Sequence, residues 1–132
     1  MIGRLSRTGL RLINKNIDTE NNIEAKVKLL FPEFEITEEM KGLPTVIFSF
    51  LTSYLIQSIH NKKQDLIDRF AGFVDKLSVE KEPLIVACLN EIFIGLYDST
   101  EADYREFQNK LSEHASDSFQ KTIELWKSQG SV

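Results

Sequence analysis

Four side chains in this 132-residue sequence are of types that commonly do chemistry: His60, His114, Cys88 and the isolated carboxylate Glu91. Each histidine stands at a predicted helix end among polar neighbours. To act as a general base or a metal ligand, each would need a partner that its surroundings do not offer, so solvation or helix capping is the expectation. Cys88 lies inside the run Leu84-Ile85-Val86-Ala87-Cys88-Leu89. An apolar setting holds a thiol in its neutral, unreactive form, and the residue then packs as a small hydrophobe. The chain has no GxxxxGK[ST], GxGxxG, HExxH or GxSxG motif, no cysteine pair for zinc and no EF-hand loop. No catalytic residue, metal or cofactor is therefore expected, and the chemistry points away from an enzyme without closing that question.

Glu91 interrupts the most hydrophobic stretch of the chain. On a helical projection Ala87, Glu91 and Gly95 fall at i, i+4 and i+8, a stripe of small residues with a carboxylate at its centre, while Ile85, Leu89, Ile92, Phe93 and Leu96 point elsewhere. Three arrangements are open. Glu91 can occupy a solvent arc, it can be buried against a base such as Arg69 or backbone N–H groups, or it can line a groove for a partner or ligand. A buried carboxylate with no partner is excluded on energetic grounds.

The acidic residues Glu38 and Glu39, Glu80 and Glu82, and Glu101 and Asp103 flank predicted helix starts or turns, where negative charge suits the helix dipole. Glu80, Glu82, Glu101 and Asp103, together with Glu91, are also the residues a basic partner would meet. A different kind of surface is expected along Thr45, Ser49, Thr52, Ser53 and Ile56, which offers hydroxyls and no charge. Solvated helix faces usually carry Lys and Glu, so Ser49, Thr52 and Ser53 are expected to lie against the N-terminal segment, a partner or a second copy in a homodimer.

The elements that must hold these residues are helical. Ile23, Val27, Leu30 and Phe31 recur at helical spacing from an Asp18 or Thr19 cap, and Pro32 ends the pattern. Pro44 and Pro83 each suit a first helical turn, opening helices over about 44–60 and 83–97. Leu66, Ile67, Phe70, Phe73, Val74 and Leu77 form one face of a helix over about 64–78. Thr100 and Asp103 resemble a capping box for a fifth helix with the stripe Tyr104, Phe107 and Leu111. Phe119, Ile123 and Trp126 mark a last helix with Gly130 past its end. No segment alternates with period two, so the fold is expected to be all-α, with five to six helices in an irregular bundle or two stacked HEAT-like helical hairpins. The helix over 83–97 is apolar almost all round and should be central.

Hydrophobic residues make up 42% of the chain and charged residues 27%, which excludes global disorder and suits one helical domain over 18–132. The net charge of −4 hides a split: Arg4, Arg7, Arg11 and Lys15 are the only charges before Asp18, so the remainder carries −8. Such an acidic body disfavours nucleic acid and favours a basic protein partner. The basic stretch 1–17 reads as a first helix or arm, with a mitochondrial targeting segment or an arm for nucleic acid or anionic lipid as alternatives. Gly42 to Asn61 has no charge but too many polar residues for a membrane span. A single cysteine suits a reducing, cytoplasmic location.

The segments Leu29-Leu30-Phe31-Pro32-Glu33-Phe34, Leu43-Pro44, Leu89-Asn90-Glu91-Ile92-Phe93-Ile94-Gly95-Leu96 and Phe119 to Trp126, in that order, resemble a family of small acidic all-helical bacterial proteins of unassigned function. The resemblance covers about Ile23 to Trp126. It implies a HEAT-like helical fold and binding without catalysis, similar to immunity proteins that neutralise a toxin by binding it. The expectation is a non-catalytic interaction domain whose partner is a basic protein, such as a toxin. The alternative is a small ligand-binding or enzymatic helical domain with Glu91 in a pocket.

Overall fold

A computed structural model describes residues 22–99 and 101–130, with the backbone alone described at 101–103 and 130. The fold is all-α, with no strand among the described residues. Helix α1 covers residues 22–30, and Pro44–His60 is α2, Gln64–Ser78 α3, Pro83–Asp98 α4, Glu101–Gln108 α5 and Glu113–Gly130 α6. The last helix thus begins well before the Phe119 stripe that signals it. The Thr100 cap of α5 and the basic stretch 1–17 lie outside the described residues.

The chain divides into two compact units, Met1–Pro44 and Thr45–Val132. The division falls at the start of α2, whereas the sequence suggests a boundary after residue 17. Its local cause is the stretch between α1 and α2, which makes turns rather than helix. Gly42 there adopts φ +76°, a left-handed conformation that costs glycine little, and Pro44 restarts the helix two residues on. In the first unit Ile23, Val27 and Phe31 are buried, as their spacing predicts. The Glu24 carboxylate accepts a hydrogen bond of 3.3 Å from the Gly42 N–H, and Lys41 Nζ donates to Glu38 at 2.6 Å. That contact holds the Glu38 carboxyl below its usual range.

In the second unit α4 is the hub, packing on α3, α5 and α6. It also meets α2 at Thr52 and Gly95. Ile85, Cys88, Leu89, Ile92, Phe93 and Leu96 are buried, matching the expected central helix. Aromatic pairs tie the layers: Phe48 of α2 with Phe73 of α3 (centroids 5.9 Å apart), and Phe93 of α4 stacked on Phe119 of α6 (4.7 Å). Helix α3 buries the whole predicted face from Leu66 to Leu77. Trp126, by contrast, is 42% exposed, so the α6 stripe buries Ala115, Phe119 and Ile123 and ends there.

Two polar devices set the connections. The α2–α3 turn is a Schellman motif, with Lys63 N–H donating to Ser58 O (3.0 Å) and Lys62 N–H to Ile59 O (3.1 Å). Lys62 takes the left-handed position, φ 56°. At the α5–α6 turn Ser112 caps α6, its hydroxyl accepting from the Ala115 N–H at 3.2 Å. The Ser112 N–H in turn donates to the Asp75 carboxylate of α3 at 2.7 Å. Asp75 therefore does from another helix what the N3 glutamate of a capping box does locally. Lys110 with Asp68 (3.1 Å) and His114 Nε2 against Ser78 O (3.0 Å) hold the same turn to α3.

Candidate functional site

Helix α2 must bury hydroxyls in an apolar helix, and it does so by bonding them to its own backbone. Thr52 Oγ1 donates to Phe48 O at 2.6 Å and Ser58 Oγ to Tyr54 O at 2.8 Å, each one turn back. With its hydroxyl so engaged, Thr52 turns its methyl toward α4. A Cβ built on Gly95 would stand 2.6 Å from Thr52 Cγ2, so only glycine admits this approach. The hydroxyl side of α2 and the small-residue stripe of α4, predicted separately, therefore meet at Thr52 and Gly95.

Glu91 lies one turn before Gly95 on α4 and is exposed. The buried arrangement with Arg69 is thereby overturned. An exposed carboxylate keeps its hydration, and α4 leaves Pro83, Val86 and Asp98 exposed as well. Ala87 and Gly95 beside it are half-buried. Along the chain its charged neighbours are of one sign: from Glu82 to Tyr104 the sequence holds Glu82, Glu91, Asp98, Glu101 and Asp103 and no Lys, Arg or His, while in the fold Lys127 of α6 stands over the Tyr97 ring of α4 at 5.5 Å. Glu80 is exposed, and Glu82 is half-buried at the α4 N-cap position without a side-chain capping bond. Side chains of Glu101 and Asp103 lie outside the described residues, though α5 begins at Glu101, as expected.

The uncharged side of α2 divides. Only Thr52 is buried, at 3% exposure, while Ser49 and Ser53 face solvent. Of the three, Thr52 alone is covered by a described part of the chain, α4, and Ser49 and Ser53 are the exposed members of the expected interface. Packing by residues 1–17 lies outside the described residues. A feature that the sequence reading misses is that Val46, Phe50, Ser53 and Gln57 are all exposed at spacings of four, three and four. That spacing, free of charge, is the signal that could have found it. Phe50 has the residue type of a core position and is nevertheless 51% exposed.

The remaining chemistry is inert. Burial pushes the Cys88 thiol up to about 12, with the nearby Glu91 charge adding to the effect. No His, Cys, Asp and Glu cluster among the described residues is arranged to hold a metal ion. No helix among them is long and apolar enough to cross a membrane. His114 is engaged with the C-terminal end of α3 through Ser78 O rather than with a second catalytic group. What the arrangement can do is present an exposed carboxylate on the helix that makes a close crossing with α2. Compared with known proteins, the sequence matches no family model, and no curated protein or solved structure is significantly similar to it.

Proposed function

We propose that this chain is a non-catalytic interaction domain that binds a basic protein through the acidic arc of α4. The observation that carries the reading is the exposed Glu91 in the centre of 23 residues, 82–104, that contain carboxylates and no base. Unbalanced carboxylates steer a basic partner and orient its approach, while an exposed Glu adds little to the stability of its own helix. Ala87, one turn before Glu91, adds little bulk beside the carboxylate. The specific form suggested by the family resemblance is an immunity protein covering the basic cleft of a toxin. A cytoplasmic location agrees with the unpaired Cys88. The reading in which Glu91 works inside a pocket asks for an enclosed carboxylate, and Glu91 is exposed.

The test is affinity capture from the source cells with wild-type protein and Glu91→Lys, read by mass spectrometry. A basic protein retained by the wild type and lost with the variant, at unchanged melting temperature, supports the proposal. Capture of the same proteins by both would overturn it.

A further inference from the structure

Helix α2 exposes Val46, Ser49, Phe50, Ser53, Gln57 and His60 and buries or half-buries its other positions. No exposed position of α2 carries a formal charge, whereas α3, α4, α5 and α6 each expose at least one carboxylate, such as Asp68, Glu91, Glu106 and Asp117. Val46, Phe50, Ser53 and Gln57 follow the four-three spacing of a helix that pairs with another helix. A basic partner finds no carboxylate on this face, and an anionic lipid surface or nucleic acid finds no Lys or Arg. A second copy of the same acidic chain, at net charge −4, is the partner for which an uncharged face matters most, since it avoids setting like charges together.

The stripe is also complementary to itself. In a two-fold contact, residue i meets j and j meets i. Antiparallel pairing centred between Phe50 and Ser53 sets Phe50 against the partner's Ser53 and Val46 against the partner's Gln57. Each bulky side chain then meets a small or flexible one, which is the pattern that lets two helices close to packing distance. Ser49, next to Phe50, adds no bulk. We propose that α2 is a homodimer face, formed by antiparallel pairing of two copies along Val46, Phe50, Ser53 and Gln57. One helix pair is smaller than a standard interface of about 800 Å² per partner, so the dimer is weak, with a dissociation constant between about 1 µM and 1 mM. The stripe contains none of the carboxylates invoked for the basic partner, and the pairing stands or falls independently of that partner.

Sedimentation equilibrium of the full chain, from micromolar to millimolar concentration, reads the pairing directly. The expected result is a monomer–dimer equilibrium that Phe50→Lys weakens at least tenfold, with an unchanged circular dichroism melting curve. Ser53→Cys should be joined to a second copy by a short bismaleimide, while Gln120→Cys on α6 should not, the buried Cys88 reacting in neither. A chain that stays monomeric to millimolar concentration overturns the proposal, as does a dimer indifferent to Phe50→Lys. Flotation of the wild type on phosphatidylcholine vesicles with loss in Phe50→Lys would overturn it in favour of a lipid occupant, and a wild type that dimerises only once residues 1–17 are removed would overturn it in favour of an intrachain one.

Discussion

Replacing Gly95 by alanine tests the close approach of α2 to α4. Alanine in place of glycine inside a helix is favourable by about 1 kcal/mol from backbone entropy alone. Against this, the new methyl would stand 2.6 Å from Thr52 Cγ2, well inside contact distance. Thr52 cannot simply rotate away, because its hydroxyl is bonded to Phe48 O at 2.6 Å and turning the side chain breaks that bond in a buried place. Overpacking of this kind costs about 1–3 kcal/mol, so Gly95→Ala should destabilise the protein by about 1 kcal/mol net. Thr52→Ser removes Cγ2 and leaves the Cβ of that residue, 3.5 Å from the added methyl, as the nearest remaining atom, an ordinary contact. In that background Gly95→Ala should stabilise by about 1 kcal/mol, the helix-entropy gain being no longer opposed. The coupling between the two sites is then about 2 kcal/mol, which a double-mutant cycle measures by chemical or thermal denaturation. At this chain length each kcal/mol moves the melting temperature by about 4 °C, so the sign change is readily seen. Equal destabilisation by Gly95→Ala in the wild-type and Thr52→Ser backgrounds, or stabilisation in both, would refute the packing argument.

Lys62→Gly should stabilise by about 0.5–1 kcal/mol in urea denaturation, because the left-handed position of the Schellman turn suits glycine better than lysine. Asp75→Ala should destabilise by about 1 kcal/mol, since it strips the Ser112 N–H of its acceptor, and Ser112→Ala should cost a similar amount through the lost cap; chevron analysis should show both. Cys88 should resist a thiol reagent at pH 8 in the native state and react fully in denaturant. Its raised value in the fold means that the thiol's contribution to stability is complete below about pH 9 and is lost as pH climbs from 9 toward 12, which pH-dependent denaturation of Cys88→Ala against wild type resolves. Glu91→Gln should change stability by less than about 0.5 kcal/mol, as expected for an exposed residue.

The helices were legible because their stop and start signals are local. Pro32, Pro44 and Pro83 act within one turn of themselves, and the Leu66 to Leu77 face of α3 repeats strongly enough to survive any tertiary setting. Trp126 and Phe50 were not legible, because residue type does not reveal whether a neighbour arrives to cover an apolar side chain. The contact of Thr52 with Gly95 shows the same limit from the other side. Each residue stands out on its own helix, but nothing in one dimension states that a threonine methyl on α2 and a missing Cβ on α4 meet. Asp75 is a third case: its partner, the Ser112 N–H, is 37 positions away. For Glu91, the projection left solvent, burial and groove open, and the choice depended on which arc of α4 its neighbours left uncovered.

The claim that α4 presents the binding face is tested most directly by a two-dimensional ¹H–¹⁵N NMR titration of the full chain with a short lysine-rich peptide as a basic probe. Backbone shifts concentrated in residues 82–104, largest around Glu91, reduced by added salt and lost in Glu91→Lys, are the predicted result. Shifts spread evenly over the acidic surface, or confined to α2 or α6, would contradict it.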